Sequence, residues 1–155
     1  MNKEWITDGT GLGGLPIYGI VTILFFVTGY ELRSYQLASG FIIFYCSTML
    51  IRYFYFKKRP KEELYTTTVQ KLDASSFPSL HASRVTTLTL ITASFYENTA
   101  VTILLIISAA AICWTRIVLR RHDIIDVSGG IILGMLTTGI VLYILTPVLQ
   151  LLPVS

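Results

Sequence analysis

A short polar stretch between two apolar runs carries the residues of this sequence best suited to chemistry. Residues 116–126 read Arg-Ile-Val-Leu-Arg-Arg-His-Asp-Ile-Ile-Asp. His122 and Asp126 are four residues apart, so on a helix they share one face and the carboxylate can reach the imidazole. Ionisable groups are costly in hydrocarbon, and a cluster of them where a membrane helix begins or ends favours a functional site.

The composition of the chain is that of an integral membrane protein. Of its 155 residues, 53% are hydrophobic and only 14% are charged, and the mean hydropathy is +0.65. Soluble domains carry about 25% charged residues. The net charge is +3, with the basic residues clustered between apolar runs. This pattern favours phosphates or lipid head groups as partners and gives no reason to expect nucleic acid.

Five apolar segments are long enough, or nearly so, to cross a bilayer as helices, since a crossing needs about 20 residues. They cover residues 14–30, 37–56, 78–95, 100–119 and 124–152. The third carries several threonines and has His81 and Arg84 in its first turns, so we expect it to face the bundle interior. Ser76 as a cap and Pro78 mark its start. The prediction is an all-α, polytopic transmembrane bundle that forms a single domain over residues 1–155.

The number of spans decides which polar stretches share a membrane face. With five spans, the links after the second and fourth lie on one side, and the links at residues 31–36 and 96–99 lie on the other. Residues 52–60, 77–84 and 116–126 therefore meet at one face. Glycines in the fifth span are expected to permit close helix packing; they are Gly129, Gly130, Gly134 and Gly139.

These three stretches supply the groups that a phosphate site requires. Arginine presents a rigid fork of donors to phosphate oxygens, and a helix N-terminus offers free N–H groups to an anion. One histidine can attack phosphorus while another protonates the leaving oxygen. The sequence shows no second carboxylate cluster for a metal, and both cysteines lie in apolar runs. We therefore expect a phosphate site without metal or cofactor.

The same stretches resemble the three-part signature of the type 2 phosphatidic acid phosphatase superfamily. Its elements are Lys-x6-Arg-Pro, Pro-Ser-Gly-His and Ser-Arg-x5-His-x3-Asp. The corresponding residues here are Arg52-x6-Arg59-Pro60, Pro78-Ser79-Leu80-His81 and Thr115-Arg116-x5-His122-x3-Asp126. The sequence departs from the signature at Arg52, Leu80 and Thr115, and its five spans are one fewer than the six common in the family.

The resemblance implies a role for each of these residues. His122 would be the nucleophile that forms a phosphohistidine, Asp126 would orient its imidazole, and His81 would act first as general acid and then as base. Four residues would hold the phosphate oxygens: Arg52, Arg59, Ser79 and Arg116. The family's reaction is independent of metal.

The remaining basic residues near the site are expected to be surface charges close to lipid head groups. They are Lys57, Lys58, Lys61, Arg120 and Arg121. Arg84 has two interpretations, since it could pair with a substrate phosphate or with a carboxylate such as Asp123.

We expect the protein to hydrolyse the terminal phosphate of a membrane lipid phosphate or diphosphate without metal. The substrate classes are phosphatidic acid, phosphatidylglycerol phosphate and isoprenoid phosphates or diphosphates. Two alternatives stay open: a lipid phosphotransferase that uses an alcohol acceptor, and a non-catalytic membrane subunit that binds lipid phosphate. The sequence leaves the oligomeric state open.

Two indications disagree on the membrane face that holds the site. Of the 12 Lys and Arg residues, only Arg33 falls on the opposite face, so the positive-inside rule favours the cytoplasm. Most membrane members of the resembled family act on the outer side, and several of these arginines are candidate phosphate ligands. We expect the outer face of the cell membrane, and labelling of a Lys61→Cys variant by an impermeant thiol reagent in intact cells distinguishes the two.

Overall fold

A computed structural model describes residues 14–59 and 66–151, which form helices and no strand. The helices are α1 (Leu15–Val27), α2 (Glu31–Phe54), α3 (Thr68–Ala74), α4 (Leu80–Tyr96), α5 (Thr99–Val118), α6 (Ile124–Gly139) and α7 (Thr146–Leu149), with a π-helical segment, Ile140–Leu145, between the last two. By length and composition, α2, α5 and the continuous helix Ile124–Leu149 can cross a membrane. The prediction of an all-α membrane bundle is confirmed.

The central element of the bundle is α4, which packs against α1, α2, α5 and α6. Its polar residues Ser83, Arg84 and Thr87 are buried. A buried hydroxyl is tolerated when it is hydrogen-bonded, and here both are. Ser83 Oγ donates to the Ser79 carbonyl (3.2 Å) and Thr87 Oγ1 donates to the Gly134 carbonyl (3.3 Å). The expected inward orientation of this segment is therefore what the structure has.

Two glycines of α6 allow its backbone to approach α4 closely. A methyl group added at Gly130 would overlap the carbonyl oxygen of Ser79. One added at Gly134, one turn further on, would lie 2.7 Å from the Ser83 carbonyl oxygen. Small residues at this spacing are typical of tight helix pairs in membranes. Gly139 differs, because an added methyl group would meet no atom within 4 Å, so the prediction of close packing is wrong for that residue.

The first link of the bundle is shorter than the sequence indicates. Residues 31–36 were expected to form a polar link, but α2 already begins at Glu31 and the chain turns within residues 28–30. Polar side chains fit this helical start because other helices supply partners. Gln36 Nε2 donates to Thr146 Oγ1 (2.8 Å) and Arg33 Nη1 donates to Ser94 Oγ (3.2 Å). The predicted link at 31–36 is therefore wrong.

The start of α4 also differs from the prediction. Ser79, and not Ser76, is the N-cap, and its Oγ accepts from the Ala82 N–H (3.5 Å). Proline lacks a backbone donor and fits just outside or within the first turn; Pro78 directly precedes the cap. Ser76 instead donates from Oγ to the Lys57 carbonyl (3.2 Å). The cap at Ser79 fixes where His81 enters the bundle.

Gly130→Ala is expected to destabilise the protein by about 1 to 3 kcal/mol, the usual cost of overpacking, because the overlapping Ser79 oxygen belongs to the backbone and cannot rotate away. Gly139→Ala is the matched control, since its added methyl group has open space. That variant is expected to be neutral or more stable by up to about 1 kcal/mol. Thermal unfolding in detergent micelles measures both, and equal melting temperatures for the two variants would contradict the close α4–α6 contact.

Candidate active site

Backbone hydrogen bonds join the three polar stretches at one end of the bundle. The Ser76 N–H donates to the Lys57 carbonyl (2.8 Å), which links the segment after α2 to the segment before α4. The Ser79 N–H donates to the Asp126 carbonyl (2.9 Å), which links the start of α4 to the start of α6. Stretches that are far apart in sequence therefore meet at one face, as the alternation of spans predicts.

The turn between α5 and α6 places the third stretch. The Arg116 carbonyl, in the last turn of α5, accepts from the His122 N–H (3.3 Å), and Arg120 adopts the left-handed conformation (φ +53°) that closes the turn. Asp123 then caps α6: its Oδ1 accepts from the Asp126 N–H (2.9 Å), while Asp126 Oδ2 accepts from the Asp123 N–H (3.0 Å). This reciprocal cap fixes the Asp126 carboxylate directly beside the turn that carries His122.

His122 and Asp126 form a buried pair. Their side chains are 3% and 0% exposed, and His122 Nδ1 lies 3.7 Å from Asp126 Oδ2. That separation is longer than a hydrogen bond, and within the described part of the chain Nδ1 has no hydrogen-bond partner. Hydrogen bonds of catalytic groups are often long without substrate and shorten when it binds, so the geometry is compatible with a carboxylate that orients the imidazole.

The surroundings of His122 favour its neutral form. Burial, followed by the charges of Arg116, Arg59 and Arg52, lowers the pKa of His122 from its ordinary value of 6.5 to about 3, although a backbone hydrogen bond involving Ser76 acts in the opposite direction. A neutral imidazole keeps a lone pair on one ring nitrogen. At neutral pH, His122 is therefore in the state that a nucleophile needs.

His81 lies close to the same groups. It is the second residue of α4, it is partly buried, and it is within electrostatic range of His122, Arg116 and Arg59. The structure therefore brings both histidines, two of the predicted phosphate-binding arginines and Asp126 together. Arg59 and Arg116 come from different segments of the chain, and both act electrostatically on the two histidines.

Two other predicted phosphate ligands are bound to the backbone here. Arg52 is only 2% exposed. Its Nη1 donates to the Leu72 carbonyl (3.2 Å) and its Nη2 donates to the Pro78 carbonyl (3.0 Å). Ser79 uses its hydroxyl for the α4 cap and its N–H for Asp126. In this structure both residues hold the segment in front of His81 in place.

Lys57 is a residue of the site that the sequence interpretation missed. It was predicted to be a surface charge, but its Nζ lies 2.6 Å from Asp123 Oδ2 and 2.8 Å from Asp126 Oδ1, so that prediction is wrong. Partial burial alone would lower the pKa of Lys57, but its hydrogen bonds to the two carboxylates raise it overall. Burial alone would raise the pKa of Asp123, but the hydrogen bond from Lys57 helps to lower it overall. The alternation of spans placed Lys57 on the same membrane face as both carboxylates, which was the available signal.

Of the two interpretations of Arg84, pairing with Asp123 is not seen, because Asp123 is paired with Lys57. Arg84 lies one helical turn after His81 in α4 and is buried within electrostatic range of His81, Tyr18 and Tyr45. The interpretation as a phosphate-pairing residue stays a prediction.

A basic cluster around two histidines lies at one end of the helix bundle, and its charge and hydrogen-bond donors suit an anion such as phosphate. A family model described as the PAP2 superfamily matches residues 35–148 of the chain. The protein belongs to this superfamily, the type 2 phosphatidic acid phosphatases. Membership supports a phosphatase that acts on phosphate esters. Comparisons with curated proteins and with solved structures gave no match.

Acid is expected to destabilise the protein through His122. The unfolded chain takes up a proton near pH 6.5, whereas the folded protein does so only near pH 3. Between these values the unfolded state binds more protons, so the free energy of unfolding falls as the pH is lowered, by up to about 1.4 kcal/mol per pH unit for this group. Thermal unfolding in micelles at pH values below neutral measures this slope. His122→Gln should reduce it, and an unchanged slope would contradict a neutral, buried His122.

Proposed function

We propose that the protein hydrolyses the terminal phosphate of a membrane lipid phosphate or diphosphate through a phosphohistidine at His122. The observation that carries this proposal is a buried His122 whose Nδ1 lies 3.7 Å from the Asp126 carboxylate, within electrostatic range of Arg59 and Arg116. Phosphoryl transfer depends on positioning the phosphate and on stabilising the charge of its oxygens. Both requirements have candidate groups here.

In the first step, His122 attacks phosphorus while the bond from phosphorus to the leaving oxygen breaks. Arg59 and Arg116 bind the phosphate oxygens and stabilise their charge. His81 gives its proton to the leaving oxygen, because an alkoxide is a poor leaving group. A dianionic phosphate among the arginines places negative charge beside His81, which favours the protonated imidazole that this step requires.

In the second step, water attacks the phosphohistidine. His81, now neutral, takes a proton from the water as the bond between phosphorus and nitrogen breaks. Phosphate leaves and His122 is regenerated. Asp126 supports both steps, because a carboxylate beside the far ring nitrogen holds the imidazole in one tautomer and stabilises its positive charge.

A lipid substrate is supported by an apolar groove between α4, α5 and α6. The groove has a volume of about 290 Å³ and is lined by apolar and small residues, among them Leu90, Ala109, Ala110, Cys113 and Met135. Cys113 lies one helical turn from Arg116 along α5. A hydrocarbon chain in this groove would therefore extend from a phosphate held at the end of the bundle.

Purified protein is expected to release phosphate from phosphatidic acid, phosphatidylglycerol phosphate or an isoprenoid phosphate or diphosphate, with the rate unchanged by EDTA. His122→Ala should abolish release while the variant stays folded, because no other group replaces the nucleophile. The exposed Lys58 provides the control. Lys58→Ala should stay within about twofold of wild type, as most surface substitutions do.

Three results would count against the proposal. If His122→Ala kept full activity on every ester, His122 would be excluded as the nucleophile. Loss of activity with EDTA would contradict a metal-independent reaction. Formation of a new phosphate ester with an added alcohol, in place of free phosphate, would identify a phosphotransferase.

A further inference from the structure

Lys57 lies inside the first polar stretch, between Arg52 and Arg59, at a position that the family signature leaves unspecified. Its ammonium group contacts two carboxylates at once, at 2.6 Å from Asp123 Oδ2 and 2.8 Å from Asp126 Oδ1. The Lys57 side chain is 24% exposed, while that of Asp126 is fully buried. The contact therefore runs from the rim of the site to its interior.

The buried carboxylate of Asp126 depends on its partners. A carboxylate removed from water is strongly destabilising unless it is paired and hydrogen-bonded. Lys57 binds Oδ1 and the Asp123 N–H binds Oδ2. With Oδ1 held by the ammonium group, Oδ2 is the oxygen that faces His122 Nδ1 at 3.7 Å. Lys57 and the Asp123 N–H together hold the carboxylate so that Oδ2 faces the imidazole.

The backbone of Lys57 is also held in place. Its N–H donates to Ser75 Oγ (3.3 Å), and its carbonyl accepts from both the N–H and the Oγ of Ser76 (2.8 and 3.2 Å). One residue therefore connects all three polar stretches: the segment ending at Arg59, the segment leading to His81, and the start of α6.

We propose that Lys57 is a positioning residue for phosphate release, which fixes the Asp126 carboxylate against His122 and holds the Arg59 segment beside them. The inference rests on the proposed function. Lys57 acts through Asp126 and not on the phosphate, because its ammonium group is already bound by two carboxylates. A positioning role predicts a loss of kcat at nearly unchanged KM, whereas loss of a phosphate ligand would raise KM, with or without a fall in kcat.

The experiment compares wild type, Lys57→Met, Lys57→Arg and Lys58→Met in phosphate release from a lipid phosphate in mixed micelles. Lys58 is the matched control, since it is the next residue and is exposed. Lys57→Met should lower kcat on the order of 10- to 100-fold, the range for groups that orient a reacting residue by a hydrogen bond, with KM within about threefold. Lys57→Arg keeps the charge and should recover kcat to within about fivefold of wild type.

Two outcomes would overturn the inference. In the first, Lys57→Met has the same kcat as Lys58→Met. In the second, Lys57→Met raises KM well beyond threefold, whatever its kcat, which would make Lys57 a phosphate ligand. If Lys57→Met does not fold, Lys57→Gln replaces it, because glutamine keeps a polar side chain but removes the ammonium group from Asp126. Lys57→Gln should lower kcat with KM within about threefold, and wild-type kcat in that variant would overturn the inference.

The wild-type protein separates this inference from the proposed function. Absence of phosphate release by wild type from every ester would refute the proposed function itself. Activity in wild type that is retained in Lys57→Met refutes only the role of Lys57.

Discussion

The close contact between α4 and α6 is the constraint on which the rest of the site depends. It exists because Gly130 and Gly134 leave room for the backbone of α4, and it is completed by the hydrogen bond from the Ser79 N–H to the Asp126 carbonyl (2.9 Å). His81 is the second residue of α4, and His122 lies just before α6. The spacing of the two histidines is thus set by backbone packing, which is more rigid than contacts between long side chains.

The charges of the site then determine which kind of ligand it can bind. The site buries one carboxylate, Asp126, among several cations, and Lys57 is bound directly to it. The remaining positive charge of Arg59 and Arg116 acts on His122, whose pKa is lowered chiefly by burial. An anion is the natural complement of such a cluster, and a phosphate dianion supplies charge and hydrogen-bond acceptors together.

The broad organisation follows from the sequence because a bilayer leaves few alternatives. Apolar segments must cross, so their number decides which links meet, and this is why residues 116–126 come to lie beside Lys57 and Ser76. The capping signals were less decisive, since Ser76 and Ser79 are the same residue type and only the packing of α4 distinguishes them. The start of α2 was misplaced for a related reason, because the partner of Gln36 is Thr146, far along the chain.

Side-chain roles near the site were harder to infer for physical reasons. A guanidinium can donate to backbone carbonyls as well as to phosphate oxygens, and the structure has Arg52 on two carbonyls. A lysine in a charged segment looks like a surface residue until the path of that segment places it against Asp123 and Asp126. Gly130 and Gly139 are likewise the same residue type in the same helix, and only the neighbouring α4 gives Gly130 a packing role that Gly139 lacks.

Transfer of phosphate to His122 can be tested by trapping the phosphohistidine. Wild-type protein would be mixed with a lipid phosphate labelled in its phosphoryl group, quenched rapidly in alkali, which preserves phosphohistidine, and digested for peptide mapping. Label is expected on the imidazole of His122, formed at least as fast as phosphate is released. Label on His81, or turnover with no labelled histidine at any quench time, would contradict it.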